Sequence, residues 1–222
     1  MCGRYGLELS REDMVEWLGI QWELELKPRH NIAPTQCAPV VRGGADGPFL
    51  GMLQWGLMPS WSGKNTRNRP LINARAETLH EKPSFKDAFK RRRCLVPADG
   101  WYEWSGPRGE RQAHMLTLQD GAPFCMAGLW DALDGDGDVA TETFTIITTR
   151  ASLDIEHIHH RMPVIIDASH HGLWLDPGIE SKDALGALLT PQAPGKLTHW
   201  KVSPRVGNVR FDDPACRTPL VE

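Results

Sequence analysis

Eight short apolar runs follow one another between residues 38 and 166, each bounded by Gly, Pro, Asp or another turn-forming residue. They read "APVVR", "FLGMLQWGL", "CLVPA", "GWYEWS", "AHMLTL", "FCMAGLWDAL", "TFTIITT" and "MPVII". Runs of this length, rich in β-branched and aromatic residues and punctuated by turn formers, are strands rather than helices. "SGPRGER", between the fourth and fifth, reads as a hairpin loop. Helical patterns are few and scattered. "SREDMVEWLG" has Ser10 as N-cap, Asp13 three residues on and Gly19 as its stop. "SFKDAFKRR" reads as a short helix capped by Ser84, and "ASHHGLWL" and "KDALGALL" as two more. The expectation is an α+β fold: a single domain over residues 1–222, with a mainly antiparallel, barrel-like β core and a few peripheral helices. The tail from about residue 211 is expected to be flexible.

Composition narrows the function classes. No run of about 18 apolar residues is present and the N-terminus has no signal-like apolar stretch, so a cytoplasmic protein is expected. The formal charge of −3 gives no bulk attraction to nucleic acid, so any DNA contact must come from local basic clusters. Five cysteines, an odd number with no CxxC pair, argue against a disulfide framework or a zinc ribbon. Cys94 and Cys125 lie in apolar runs and read as inert core thiols. No GxGxxG or P-loop appears, and no cofactor is expected. "LDGDGDV" has Val139 after Asp138, where a calcium loop needs glycine, and reads as a turn. "KRRRC" reads as a solvated face or a phosphate-binding rim.

Three stretches carry candidate chemistry. Cys2 follows the initiator methionine directly. With Met1 removed, its thiol and a free α-amine sit on adjacent carbons; the plainer alternative is an incidental terminal residue. In "PADGWYEW", Glu103 lies between Tyr102 and Trp104, whose bulk would desolvate it, raise its pKa and make it a general acid. Strand alternation offers the other reading, an outward-facing carboxylate. "IEHIHHRMP" holds His157, His159 and His160. No companion Cys or carboxylate has metal-ligand spacing, so no metal site is expected. A single catalytic imidazole and a structural histidine both stay open.

Together, "MCGRY", "RHNIAPTQ", "WGLMPSW", "LINARAET", "FKRRRCLVPADGWYEW", "FTIITTRA", "IHHRMPVII" and "VGNVR" resemble the SRAP family, the SOS response-associated peptidases, from residue 2 to about residue 210. The resemblance implies a single-domain α+β fold with a barrel-like core. It implies binding of single-stranded DNA and covalent capture of abasic sites through the N-terminal cysteine, with the initiator methionine removed by the protein itself or by an aminopeptidase. Carried over by motif, Cys2 resembles the nucleophile, Asn73 the group that positions amine and sugar, and Glu103 and His159 the acid–base pair. Arg4, Arg75 and Arg161, with Thr148, resemble phosphate ligands. Asn31 and Pro34 resemble residues lining the site, and Trp61 one that packs on a flanking base. Ser62 stands where some relatives carry a second aromatic.

The chemistry fits an N-terminal cysteine. An amine turns the aldehyde of a ring-opened abasic sugar into an imine, which in DNA invites β-elimination. A thiol on the adjacent carbon closes a five-membered thiazolidine first, with the effective molarity of an intramolecular step. A single strand exposes the sugar, and a baseless target leaves no sequence to read. The expected partner is therefore abasic single-stranded DNA, bound by a monomer. Two other readings are an N-terminal-nucleophile amidohydrolase, which shares the Met-Cys-Gly start, and a non-covalent reader of modified bases.

Overall fold

All eight runs become strands in a computed structural model, which describes residues 2–22, 25–62, 70–107, 109–133 and 141–221. They form β3 (Cys37–Arg42), β4 (Phe49–Trp55), β6 (Arg93–Ala98), β7 (Gly100–Ser105), β8 (Gln112–Leu118), β9 (Phe124–Leu133) and β10 (Thr141–Arg150). "MPVII" splits into β11 (Arg161–Pro163) and β12 (Ile165–Ile166), because Val164 bridges β9 and β10 through its backbone instead. Four further short strands are β1 (Tyr5–Leu7), β2 (Arg29–Ile32), β5 (Asn73–Arg75) and β13 (Leu197–Val202). The "SGPRGER" stretch joins β7 to β8, with Ser105 opposite Gln112 and Gly106 at φ 89°. The "LDGDGDV" turn lies largely outside the described residues.

The fold is α+β, a closed five-stranded barrel with added strands. The circuit runs β10-β4-β3-β6-β9 and closes because β9 also pairs with β10. Pairing is antiparallel except where β10 lies parallel to β4 and β5. A second sheet, β13-β8-β7-β1-β2, is antiparallel throughout.

Period-two alternation divides the strands between two cores. On β6, Cys94, Val96 and Ala98 face an inner core while Leu95 faces an outer one. The inner core also takes Cys2, Tyr5, Trp101 and Leu116 of the second sheet, so it cements the two sheets. Aromatic pairs mark the seam: Tyr5 meets Trp55 edge-on at 5.3 Å, and Trp101 meets Phe124 at 5.8 Å.

The outer core is covered by helices. α1 (Arg11–Leu18) starts at Ser10 in a full capping box with Asp13 and stops at Gly19, whose φ of 63° suits glycine. α2 (Lys86–Arg91) is capped by Phe85 rather than Ser84, and without a side-chain bond. The Phe85 ring is drawn into the outer core, and this packing sets the helix start. α3 (His171–Leu175) and α4 (Lys182–Ala187) complete the layer. The basic run is divided by burial. Arg91 faces solvent near Glu180, Arg92 pairs with Asp131 at 3.2 Å, and Arg93 is buried. Arg93 donates to the carbonyls of Phe89, Lys90, Trp174, Asp176 and Ile179, tying α2 and α3 to the barrel wall.

The segment after β13 folds back over β1 and β2. Asp212 accepts from the backbone N–H groups of His30 (2.6 Å) and Asn31 (2.9 Å) and from Arg29. Arg217 bonds Asp99 at 2.8 Å and Glu8 at 3.0 Å. Among the described residues, no helix is long and apolar enough to cross a membrane.

Candidate functional site

Chain ends usually fray, but this one enters mid-sheet. β1 runs between β2 and β7, with Tyr5 opposite both Ile32 and Trp101, and Tyr102 N donates to Arg4 O at 2.9 Å. Cys2 is thereby held in the inner core with no exposed surface. Its Sγ lies 3.9 Å from Arg4 O, and its carbonyl accepts from Asn73 Nδ2 at 2.8 Å. Burial pushes the thiol well above the ordinary cysteine range, and the charge of Glu103 pushes it further.

Glu103 points inward from β7 and is 2% exposed. Alternation sends Tyr102 and Trp104 to the opposite face, where they pack with Met115 and Val202. The flanking aromatics are therefore not what desolvates the carboxyl. The inner core does so, and the outward-facing reading fails. Burial raises the Glu103 pKa to about 7.

His159 ends the turn that leads into β11. Its Nδ1 faces the backbone of Arg161, 3.0 Å from N and 3.1 Å from O, and its ring stacks on His160 at 4.5 Å. Burial lowers its pKa to about 4. A carboxyl near 7 and an imidazole near 4 reverse the order of the free groups, the pattern that separates an acid from a base at neutral pH.

Asn73 is fixed by β5, which runs parallel to β10 with Asn73 opposite Ile146. Its Oδ1 is buried with no hydrogen-bond partner among the described residues. Arg75, two residues on, lies on the same side of the strand and is exposed.

The other two arginines sit differently. Arg161 grips Glu77 with both arms, at 2.6 and 2.9 Å, and also donates to Thr148 O. That contact holds the Glu77 carboxyl below its usual range. Thr148 is buried between Arg161 and Ala74 O. Arg4 donates to Asn31 Oδ1 at 2.9 Å and to the carbonyls of Val206 and Gly207. Asn31, fully buried, returns its Nδ2 to Val206 O and Phe211 O. Pro34 is half-buried in the turn after β2, and its neighbour Thr35 stands at φ 72°. Trp61 is 61% exposed beside a cavity of about 320 Å³ lined by Leu57, Pro59 and Leu71.

The structure thus brings Cys2, half-buried Asn73 and buried Glu103 together, and places His159 at the end of the turn that leads into Arg161 at the start of β11. Glu77, the partner of Arg161, is a residue that no motif in the sequence marks out for a role. Its place inside "NARAET", a polar interruption between apolar runs, was the available signal.

The model of the SOS response associated peptidase (SRAP) family matches residues 1–209. The chain belongs to that family. Its relatives include the abasic site processing protein YoqW of Bacillus subtilis, 35% identical over 96% of this chain and 97% of that one. YedK of Escherichia coli, also named an abasic site processing protein, is 31% identical over 95% and 96%. HMCES of Gallus gallus carries the same description and is 30% identical over 99% of this chain and 78% of its own. In three dimensions the family member is similar to a Bacteroides thetaiotaomicron protein of known crystal structure. The TM-score is 0.88 at 26% identity, covering 99% of this chain and all of that one.

Proposed function

We propose that the protein processes abasic sites in single-stranded DNA, capturing them covalently on Cys2 once Met1 has been removed. The observation that carries the reading is the pocket: a terminal cysteine held rigidly, its carbonyl on the Asn73 amide and its thiol within the field of Glu103.

The new α-amine, with a pKa of about 8, is roughly one-tenth neutral at pH 7. It attacks the aldehyde carbon to give a carbinolamine. Asn73 Oδ1 supplies an acceptor for the amine N–H. Glu103, near its midpoint at neutral pH, donates a proton to the departing hydroxyl, which leaves as water. The imine is attacked by Sγ, the thiol proton passes to the Glu103 carboxylate, and the imine nitrogen ends as the ring amine. One water is lost overall. His159, neutral at pH 7, moves a proton at the ring oxygen when the sugar opens. Arg75, Arg161 and Arg4 hold phosphates, with buried Thr148 and Asn31 acting through Arg161 and Arg4, while Pro34 lines the site and Trp61 packs on a flanking base.

The test is intact-mass analysis after mixing with an oligonucleotide that carries one abasic site. The expected product is the Met1-less chain plus the oligonucleotide less one water. Cys2→Ser keeps the amine and should leave at most a labile imine. Abundant stable adduct from that variant would sink the ring-closure mechanism.

A further inference from the structure

The histidines of "IEHIHHRMP" divide between two neighbourhoods. His159 and His160 stack on each other beside the Cys2 pocket. His157 meets a different set. Its ring lies 5.0 Å from that of His199, and His199 lies 5.6 Å from His114. The register explains this meeting. Glu103 of β7, His114 of β8 and Lys201 of β13 are successive partners across three strands, so all three belong to one face. His199, two residues before Lys201, shares that face.

Exposure falls along the row. His157 is exposed, His199 is half-buried and His114 is 7% exposed. His114 Nε2 lies 2.9 Å from Ser105 Oγ, while the Nδ1 atoms of both His114 and His199 are buried with no hydrogen-bond partner among the described residues. Burial depresses the His114 pKa, and the charges that bear on it next are His199, His157 and Lys201, all of one sign. His199 is depressed by burial and by His157. Glu103 is the carboxyl facing His114 across the ladder, and Ser105 its hydroxyl neighbour. Burial and the neighbouring cations thus bias His114 and His199 toward the neutral form, and a shared anion would reverse that bias.

We propose that His157, His199 and Lys201, backed by buried His114, form a phosphodiester subsite that holds the DNA backbone beside the Cys2 pocket. The inference rests on the single-strand reading above. A phosphodiester carries one negative charge and accepts from both imidazole N–H and ammonium, which is the chemistry this row presents. An anion lodged there favours the charged imidazoles, so binding takes up protons and tightens as pH falls through the histidine range.

The experiment measures affinity for an abasic single strand and for the same strand with its base intact, at pH 6 and pH 8, with wild type and His157→Gln/His199→Gln. Histidine ring signals are followed by NMR with each strand and with inorganic phosphate alone. Wild type should bind both strands about fivefold more tightly at pH 6, the scale of one ion pair. The double variant should lose that preference. The His157 and His199 signals should move with DNA and much less with equimolar inorganic phosphate, which separates a backbone subsite from one for free phosphate. If the double variant misfolds, Lys201→Gln, an exposed position, should weaken binding at both pH values and flatten its salt dependence. A pH preference retained within twofold by the double variant, ring signals that ignore DNA, or an unchanged Lys201→Gln salt slope would overturn the subsite. If wild type binds the intact strand through this row yet makes no adduct with the abasic one, the covalent reading fails and the subsite stands.

Discussion

Cys2 and Cys94 share one inner core, and burial raises both thiols well above the ordinary range. Their surroundings differ. Cys94 packs against Gly128, where an added Cβ would lie 2.8 Å from its sulfur, and the charge that reaches it is that of Arg42, already bound to Glu142. Cys2 has the Asn73 amide on its carbonyl and the Glu103 carboxyl beside its thiol. Burial alone therefore does not distinguish a reactive thiol from a packing one. Its effect at Cys2 is to suppress free thiolate, so in the proposed mechanism reactivity comes from the adjacent amine and a nearby base.

The largest contrast is expected from removing each sulfur. Cys2→Ser should lower stable adduct at least a thousandfold with little change in melting temperature. Cys94→Ala should form adduct normally and lose about 1–2 kcal/mol of stability through its cavity. Intact-mass and thermal-melt measurements on the pair check this. Similar adduct yields from both would erase the distinction.

Next comes the acid that separates the two thiols. Glu103→Gln keeps size but cannot transfer a proton, so single-turnover adduct formation near pH 7 should slow by about 10²–10³-fold. The same substitution has a stability signature. The folded pKa of about 7 exceeds the unfolded value of 4.5, so the fold favours the protonated form. That contribution is complete below 4.5 and is lost as pH rises through 7, up to roughly 3 kcal/mol. Glu103→Gln should raise the melting temperature relative to wild type at pH 8 and leave it unmoved at pH 4. An equal shift at both would show that Glu103 is not held protonated by burial.

A smaller effect concerns alkylation of the native protein. Exposed Cys37 should react with iodoacetamide at least tenfold faster than Cys2 or Cys94 at pH 8. Peptide mapping over time gives the order. Early labelling of Cys2 would show that its thiol ionises more easily than its burial allows.

The smallest expected change is at the rim. Arg75→Ala removes an exposed charge and should weaken DNA affinity a few fold while lowering the salt slope by about one. Arg161→Ala should instead leave Glu77 unpaired and cost stability as well. Equal melting temperatures for the two variants would contradict the difference in their settings.

Much of this was legible in the sequence. The barrel strands announced themselves through β-branched runs between turn residues, and Ser10 and Gly19 bounded α1 as their chemistry requires. β1, β2 and β5 did not, because three or four residues carry no usable period and are ordered by their sheet neighbours; nor did β13, where Thr198, His199 and Lys201 interrupt the apolar residues. Ser84 looked like a cap until the Phe85 ring overrode it. The motifs singled out Cys2, Asn73 and Glu103, which the fold brings together, but the cause of the Glu103 shift was misplaced. Adjacent aromatics point away from a strand residue, and only the packed sheet shows which face is dry. The engagements of Arg4 and Arg161 were invisible for the same reason, since their partners lie far off in sequence.

Arg93 has a consequence for how the molecule comes apart. Its five carbonyl contacts pin α2, α3 and the stretch to Ile179 onto a wall that is otherwise complete in its own backbone pairing. Such an arrangement makes the helical layer a candidate for sub-global opening, in which one knot loosens while the β scaffold persists. Hydrogen exchange should then show Phe89 and Trp174 amides exchanging as a cooperative set, well before those of β6 and β9. Cys2 lies in the other core, so the protein can breathe on its outer side without disturbing it.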